Sequence, residues 1–212
     1  MKNCILFLFI FFAISCNTHS SKEKRISQNE EQVLNKEEKL IQLYTASIVP
    51  LFEHYEYLNI PSKIRIDEKD DDLNAGAAMG YIEVSRGLVN LDIEWLQVFV
   101  LAHELAHIAT LSQAQNFNVQ GEIPAGTKTN EYKKAEYLAD LIAFHLIIKN
   151  RPDDFELLKS NFSYLRDILG TGNFTHPSGK ERIMSLKKYI NHSEENIQIA
   201  FRKRFLSIFN ME

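Results

Sequence analysis

Apolar positions along the chain change their spacing several times, and each change marks an element. An unbroken apolar run from Ile5 to Ile14 follows Lys2. It has the length of a signal-peptide core and is too short to cross a bilayer as a helix. A polar stretch follows, and helical spacing starts with Val33, Leu34, Leu40, Ile41, Tyr44 and Ile48, ending at Pro50. Residues 63–66 read as a short strand, and Asp70-Asp71-Asp72 as a solvated turn without the ligand spacing of a calcium loop. Residues 79–85 alternate like a strand, with Gly80 and Gly87 near its ends. Strong helical periodicity covers 93–111, a Gly- and Pro-containing polar loop 112–131, and a second helix 132–150, stopped by Pro152. Further helices are predicted over 153–169, with Gly170 as the stop, over 179–191 and over 194–209. The expected class is α+β, mostly helical, with a small antiparallel sheet and no transmembrane helix after the signal.

Composition adds little. The 212 residues are 45% hydrophobic and 25% charged, enough for one well-buried domain, and a net charge of −4 gives no reason to expect nucleic acid as partner. The cysteines add more. There are two, Cys4 inside the apolar run and Cys16 directly after Ala13-Ile14-Ser15. Small or apolar residues before a cysteine resemble a bacterial lipobox, in which cleavage precedes the cysteine and its thiol takes the lipid. The expected organisation is a signal peptide over 1–15, a tether over 16–29 from lipidated Cys16, and one domain over 30–212. The mature domain then has no further thiol, so any metal must be held by imidazoles and carboxylates.

The sequence His103-Glu104-Leu105-Ala106-His107 has the H-E-x-x-H pattern on a predicted helix. At about 100° per residue, the two histidines lie about 40° apart and Glu104 about 60° beyond His107, so all three address one side. Val98, Leu101, Leu105 and Ile108 form an apolar stripe opposite, and Ala102 and Ala106 leave room beside the imidazoles. A catalytic zinc takes three protein ligands and leaves a fourth position open. Glu136 is the best candidate for the third. It and Asp140 are the only carboxylates between Glu131 and Asp153, on one face of a helix that is otherwise apolar nearly all round. Two buried acids without partners would be costly, and a divalent cation plus an imidazole N–H removes that cost. Glu136 is therefore assigned to the metal and Asp140 to orienting a ligand. His145 lies on the far side of this helix and reads as a packed histidine.

Near the C-terminus, Ser178 and Glu181 form a capping box that starts a helix, with Pro177 before it and His176 on the loop. Together these segments resemble the zinc endopeptidases that include the HtpX-like heat-shock proteases and the CAAX-prenyl proteases. The resemblance runs from about Asn74 to Lys187. It rests on Asn74-Ala75, Gly80-Tyr81-Ile82, Arg86-Gly87-Leu88, the 100–107 segment, Glu136 with Ala139-Asp140, and Thr175-His176-Pro177-Ser178 with Glu181-Arg182-Ile183. It implies a zincin-like fold and one zinc ion per chain. It puts His176 near the active site, as an oxyanion partner or an inhibitory ligand, and has Arg182 holding this segment in place.

The expected function is zinc-dependent hydrolysis of peptide bonds, with Glu104 activating the reacting water. The expected substrates are unfolded or misassembled proteins of a bacterial cell envelope, where the domain would face the periplasm from a lipid anchor at Cys16. The 79–85 strand is expected to be an exposed edge that aligns an extended peptide. The rival from another class is a non-catalytic zinc-containing chaperone or assembly scaffold. Glu104 discriminates, because a structural site has no use for it.

Overall fold

The computed structural model describes residues 34–55, 58–78, 80–119, 129–193 and 196–211. The expected signal peptide, Cys16 and the tether lie outside the described residues, as do Met79 and residues 120–128 of the 112–131 loop. Residues Leu34–Glu212 form one compact unit.

Helix α1 (Lys36–Leu43) opens with a capping box in which the Asn35 side chain accepts from the Glu38 N–H and Glu38 accepts from the Asn35 N–H. The chain continues through one π turn (Tyr44–Ile48) and one 3-10 turn (Val49–Phe52) with Pro50 in its first positions. Leu40, Tyr44 and Ile48, four residues apart, are all buried.

The sheet has three strands: β1 (Ile64–Asp67), β2 (Ala75–Ala78) and β3 (Tyr81–Ser85). It is mixed rather than antiparallel, in the order β1-β3-β2, with β1 parallel and β2 antiparallel to β3. Ala78 pairs with Tyr81, so a two-residue turn joins β2 to β3, and Gly80 supplies the positive φ (88°) that the turn requires. That hairpin fills one side of β3, and β1 pairs along the other. The expected exposed edge at 79–85 is therefore corrected: β3 is the central strand, and β2, too poor in β-branched residues to be read as a strand, forms an edge. Ser85 N–H donates to the Asn74 carbonyl. By antiparallel alternation, Ala75 and Ala77 then turn their own N–H and C=O groups away from β3.

A short helix α2 (Arg86–Asn90), not legible in the periodicity, follows at once with Ser85 as its cap. The Ser85 hydroxyl also donates to the Asp72 carbonyl, which clips the acidic 70–72 turn against this helix. Gly87 permits the approach, since a Cβ there would sit 2.3 Å from the carbonyl oxygens of Asp71 and Asp72.

The centre of the molecule is a pair of long helices packed on each other, α3 (Glu94–Asn116) and α4 (Thr129–Asn150). Both are buried on nearly every side, which is why their polar residues carry information. The α3 helix runs five residues past its expected end at 111. Gln113 is buried there and accepts from the Tyr55 hydroxyl at 2.7 Å, and Asn118 terminates the segment in the left-handed region (φ 57°).

The single helix expected over 153–169 is two, α5 (Pro152–Ser160) and α6 (Phe162–Ile168). The break is Asn161, whose side-chain amide donates to the Leu157 carbonyl and so competes with helix continuation. Gly170 (φ 71°) stops α6 as expected. Helices α7 (Gly179–Ser193) and α8 (Ile197–Phe209) complete the unit. His145 is the packed histidine expected: it stacks on Phe201 at 3.9 Å, and its Nδ1 pairs with the Tyr189 hydroxyl at 2.7 Å. No described helix is long and apolar enough to cross a membrane.

Candidate metal centre

One turn of α3 and the first buried turn of α4 face each other and bring His103, His107 and Glu136 together, with ligand atoms all within 4.8 Å of one another. The two Nε2 atoms are 3.0 Å apart. Glu136 Oε2 lies 3.4 Å from His103 Nε2, and Oε1 lies 3.4 Å from His107 Nε2. Donors about 2.0–2.1 Å from a tetrahedral ion are about 3.3 Å from each other, so the pair of imidazole nitrogens and the contact each makes with one carboxylate oxygen are near that spacing. The fit has a second sign. Glu136 Oε2 is buried and, though Arg182 stands 3.3 Å away, accepts no hydrogen bond, so its lone pairs are left for a cation between it and the imidazoles.

The surrounding groups fix this arrangement. His103 Nδ1 is 3.0 Å from Asp140 Oδ1, so the Nδ1–H donates to the Asp140 carboxylate and Nε2 is the nitrogen that faces Glu136. Asp140 also receives the Arg182 guanidinium in a two-pronged contact at 2.8 and 2.5 Å. Arg182 Nη1 reaches to 3.3 Å from Glu136 Oε2. The sequence reading gave Arg182 the job of holding the 176–182 segment. Here it does so by inserting its charge, almost wholly buried, between Asp140 and Glu136, which ties α7 to α4 beside the candidate ligands.

The charges respond accordingly. Burial pushes the Asp140 carboxyl up, but Arg182 and His103 hold it below its ordinary value. Burial acts the same way on Glu136, and the two imidazoles hold it far below the carboxylate range. Burial and Arg182 press the His103 imidazolium down, and the hydrogen bonds to Asp140 and Glu136 outweigh them, so it is raised overall. Without an ion, a proton on His103 therefore neutralises the carboxylates. A metal ion and that proton compete for the same lone pair.

No protein-family model matches the chain, and no curated protein or solved structure is similar to it at a significant level. The chemistry must be read from the site.

The site opens into a cleft of about 1110 Å³. Its walls include β2 on one side and the 170–176 loop on the other, and Glu104 and His176 both line it. Glu104 is largely buried, yet among the described residues nothing hydrogen-bonds its carboxylate. It is not one of the three converging ligands. His176 Nε2 stands 3.6 Å from Glu136 Oε1, outside the three-ligand set, and its ring is half-exposed. Of the expected site residues, His103, Glu104, His107, Glu136, His176 and Arg182 line one cleft, and Asp140 stands behind His103. Cys16 lies outside the described residues.

The way His176 is held is not legible in the motifs. Asn173 Oδ1 accepts from the N–H groups of both Thr175 and His176, and the Thr175 hydroxyl pairs with His176 Nδ1 at 2.8 Å. An Asn two residues before a Thr was the available signal. Gly172 (φ 80°) completes the loop, since a Cβ there would meet the Ser178 nitrogen at 2.5 Å. The capping box expected at Ser178 and Glu181 forms, with Lys133 added at 3.1 Å. Hydrogen bonds from Ser178, then Lys133, hold the Glu181 carboxyl down at about 2.

Proposed function

We propose that this chain is a zinc-dependent endopeptidase, with zinc held by His103, His107 and Glu136. Two imidazoles and one carboxylate, spaced for tetrahedral ligation and leaving a position open to a cleft, are the donor set of catalytic zinc. A zinc ion there would supply Lewis acidity to the scissile carbonyl and to the attacking water. The chain's own residues do the rest. Glu104 takes the proton from the attacking water and delivers it to the leaving amine. His176 is placed at the rim to donate a hydrogen bond to the oxygen on which charge develops. Asp140 and Arg182 keep His103 and Glu136 in register.

The observation that carries this reading is Glu104. A closed structural site would bring a fourth ligand and would not need a carboxylate, free of hydrogen bonds among the described residues, beside the metal. The β2 edge supports an extended substrate, because Ala75 and Ala77 offer main-chain groups to the cleft and main-chain pairing tolerates many sequences. That suits unfolded polypeptides. With a lipid anchor at Cys16, the substrates would be those of the bacterial cell envelope.

The test is cleavage of an unfolded, fluorophore-labelled protein by the full chain, followed by metal removal. Chelation should abolish cleavage, and stoichiometric zinc should restore it. Cleavage that persists in a chain shown to be metal-free would overturn the proposal. Zinc binding without cleavage would favour the scaffold reading.

A further inference from the structure

A second pocket lies between α7 and α8, and shares no lining residue with the cleft. It measures about 160 Å³ and is lined by Lys188, His192, Lys203 and Arg204, together with Tyr189 and Ser207. Four groups of positive or potentially positive charge converge there, and among the described residues no acidic side chain lines it.

The decisive group is Arg204. Among the described residues, every other arginine that is at least partly buried faces a carboxylate. Arg182 has Asp140 and Glu136, Arg86 has Glu37 and Glu68, and Arg151 has Asp154 and Glu94. Arg204 is half-buried, has no ion pair among the described residues, and makes one side-chain hydrogen bond, to the Ser185 hydroxyl at 2.9 Å. Its Nε is wholly buried and donates to nothing. Burying a guanidinium without an anion costs free energy, and evenly spaced surface lysines would not require it.

We propose that the α7–α8 pocket binds a tetrahedral phosphate-class anion. Arg204 supplies its charge and the uncommitted Nη1 donors, Lys188 and Lys203 supply point charges at the mouth, and the Ser207 hydroxyl adds a neutral donor. His192 is held with Nδ1 against the Lys188 carbonyl at 2.6 Å, which leaves Nε2 for the ligand. The volume admits one phosphate group and excludes a nucleotide. Either inorganic phosphate or the phosphomonoester of a lipid headgroup has this chemistry.

The experiment is calorimetric titration of the full, detergent-solubilised chain with inorganic phosphate at constant ionic strength. Saturable binding of one phosphate per chain is expected. Lys188→Met combined with Lys203→Met should weaken it at least about tenfold, the worth of one charge-assisted hydrogen bond. Lys159→Met with Lys187→Met removes the same charge from a different groove and should leave the affinity within about twofold. Displacement of phosphate by a short-chain phosphatidate at lower concentration identifies the lipid as the source; failure to displace identifies the free anion. Absence of saturable binding, or equal losses in both double variants, overturns the proposal. Arg204→Met gives an independent reading in phosphate-free buffer. It should melt no lower than the parent, because it removes a half-buried cation that has no counter-ion. A clearly lower melting temperature would show the guanidinium already satisfied within the protein and would also overturn the proposal.

Discussion

Replacing Asp140 with Asn removes one charge and almost no volume at a position with no solvent exposure. It weakens the two-pronged contact with Arg182 and the 3.0 Å contact with His103 Nδ1 together. Breaking a buried ion pair costs about 3–5 kcal/mol, because the surviving charge stays behind. Here Glu136 remains 3.3 Å from Arg182 and offsets part of that, so about 3 kcal/mol is the expected loss. For a chain of this size that lowers the melting temperature by roughly 6–12 °C. Metal affinity should fall separately, by about 10- to 100-fold, because His103 loses the acceptor that fixes its tautomer. Thermal melts of the metal-free proteins measure the first effect, and competition with a chelating dye measures the second. A packing variant at His145 supplies the control: it should lower stability and leave metal affinity unchanged. Zinc affinity within threefold of the parent in Asp140→Asn would refute the role given to Asp140, whatever the melts show.

The remaining expectations concern the supports of the site. Burial, then Lys149 and His54, lowers the His145 imidazole to about 3, so the folded protein keeps it neutral while the unfolded chain protonates it near 6.5. Its contribution is therefore complete above pH 6.5 and is lost as pH falls toward 3, by about 1.4 kcal/mol per pH unit. Denaturant titrations from pH 7 to 4 should show His145→Phe with a shallower pH slope than the parent; equal slopes would contradict this. Gly170 and Gly172 both have positive φ, but only Gly172 lacks space for a Cβ. Gly170→Ala should cost about 1–2 kcal/mol, the left-handed strain alone. Gly172→Ala should cost more and lower cleavage rates as well, since it displaces the loop that carries His176; equal losses on both measures would count against the loop assignment.

The sequence revealed the site more completely than the fold. His103, Glu104, His107, Glu136 and Asp140 stood out because they are polar residues on helices whose other positions are apolar, and burial makes such exceptions meaningful. The side chain that completes the centre, Arg182, sits on an amphipathic helix where an arginine is unremarkable, so its insertion between Asp140 and Glu136 was not legible. The β2 strand escaped for a different reason: Ala75-Gly76-Ala77-Ala78 has no β propensity of its own and is held by pairing with β3. The same pairing put an edge of the sheet at the segment that does not look like a strand and the centre at the one that does. The break at Asn161 is a local competition between side chain and backbone inside a periodic stretch, which periodicity averages away.

The central claim is that Glu104 serves chemistry and not metal binding. It is tested most directly by comparing Glu104→Gln with the parent, both loaded with zinc, for cleavage of an unfolded protein. The account predicts one zinc bound in each, similar melting temperatures, and a fall in kcat of at least about 100-fold, the scale of general acid–base catalysis. Unchanged cleavage by a zinc-loaded Glu104→Gln protein would contradict it.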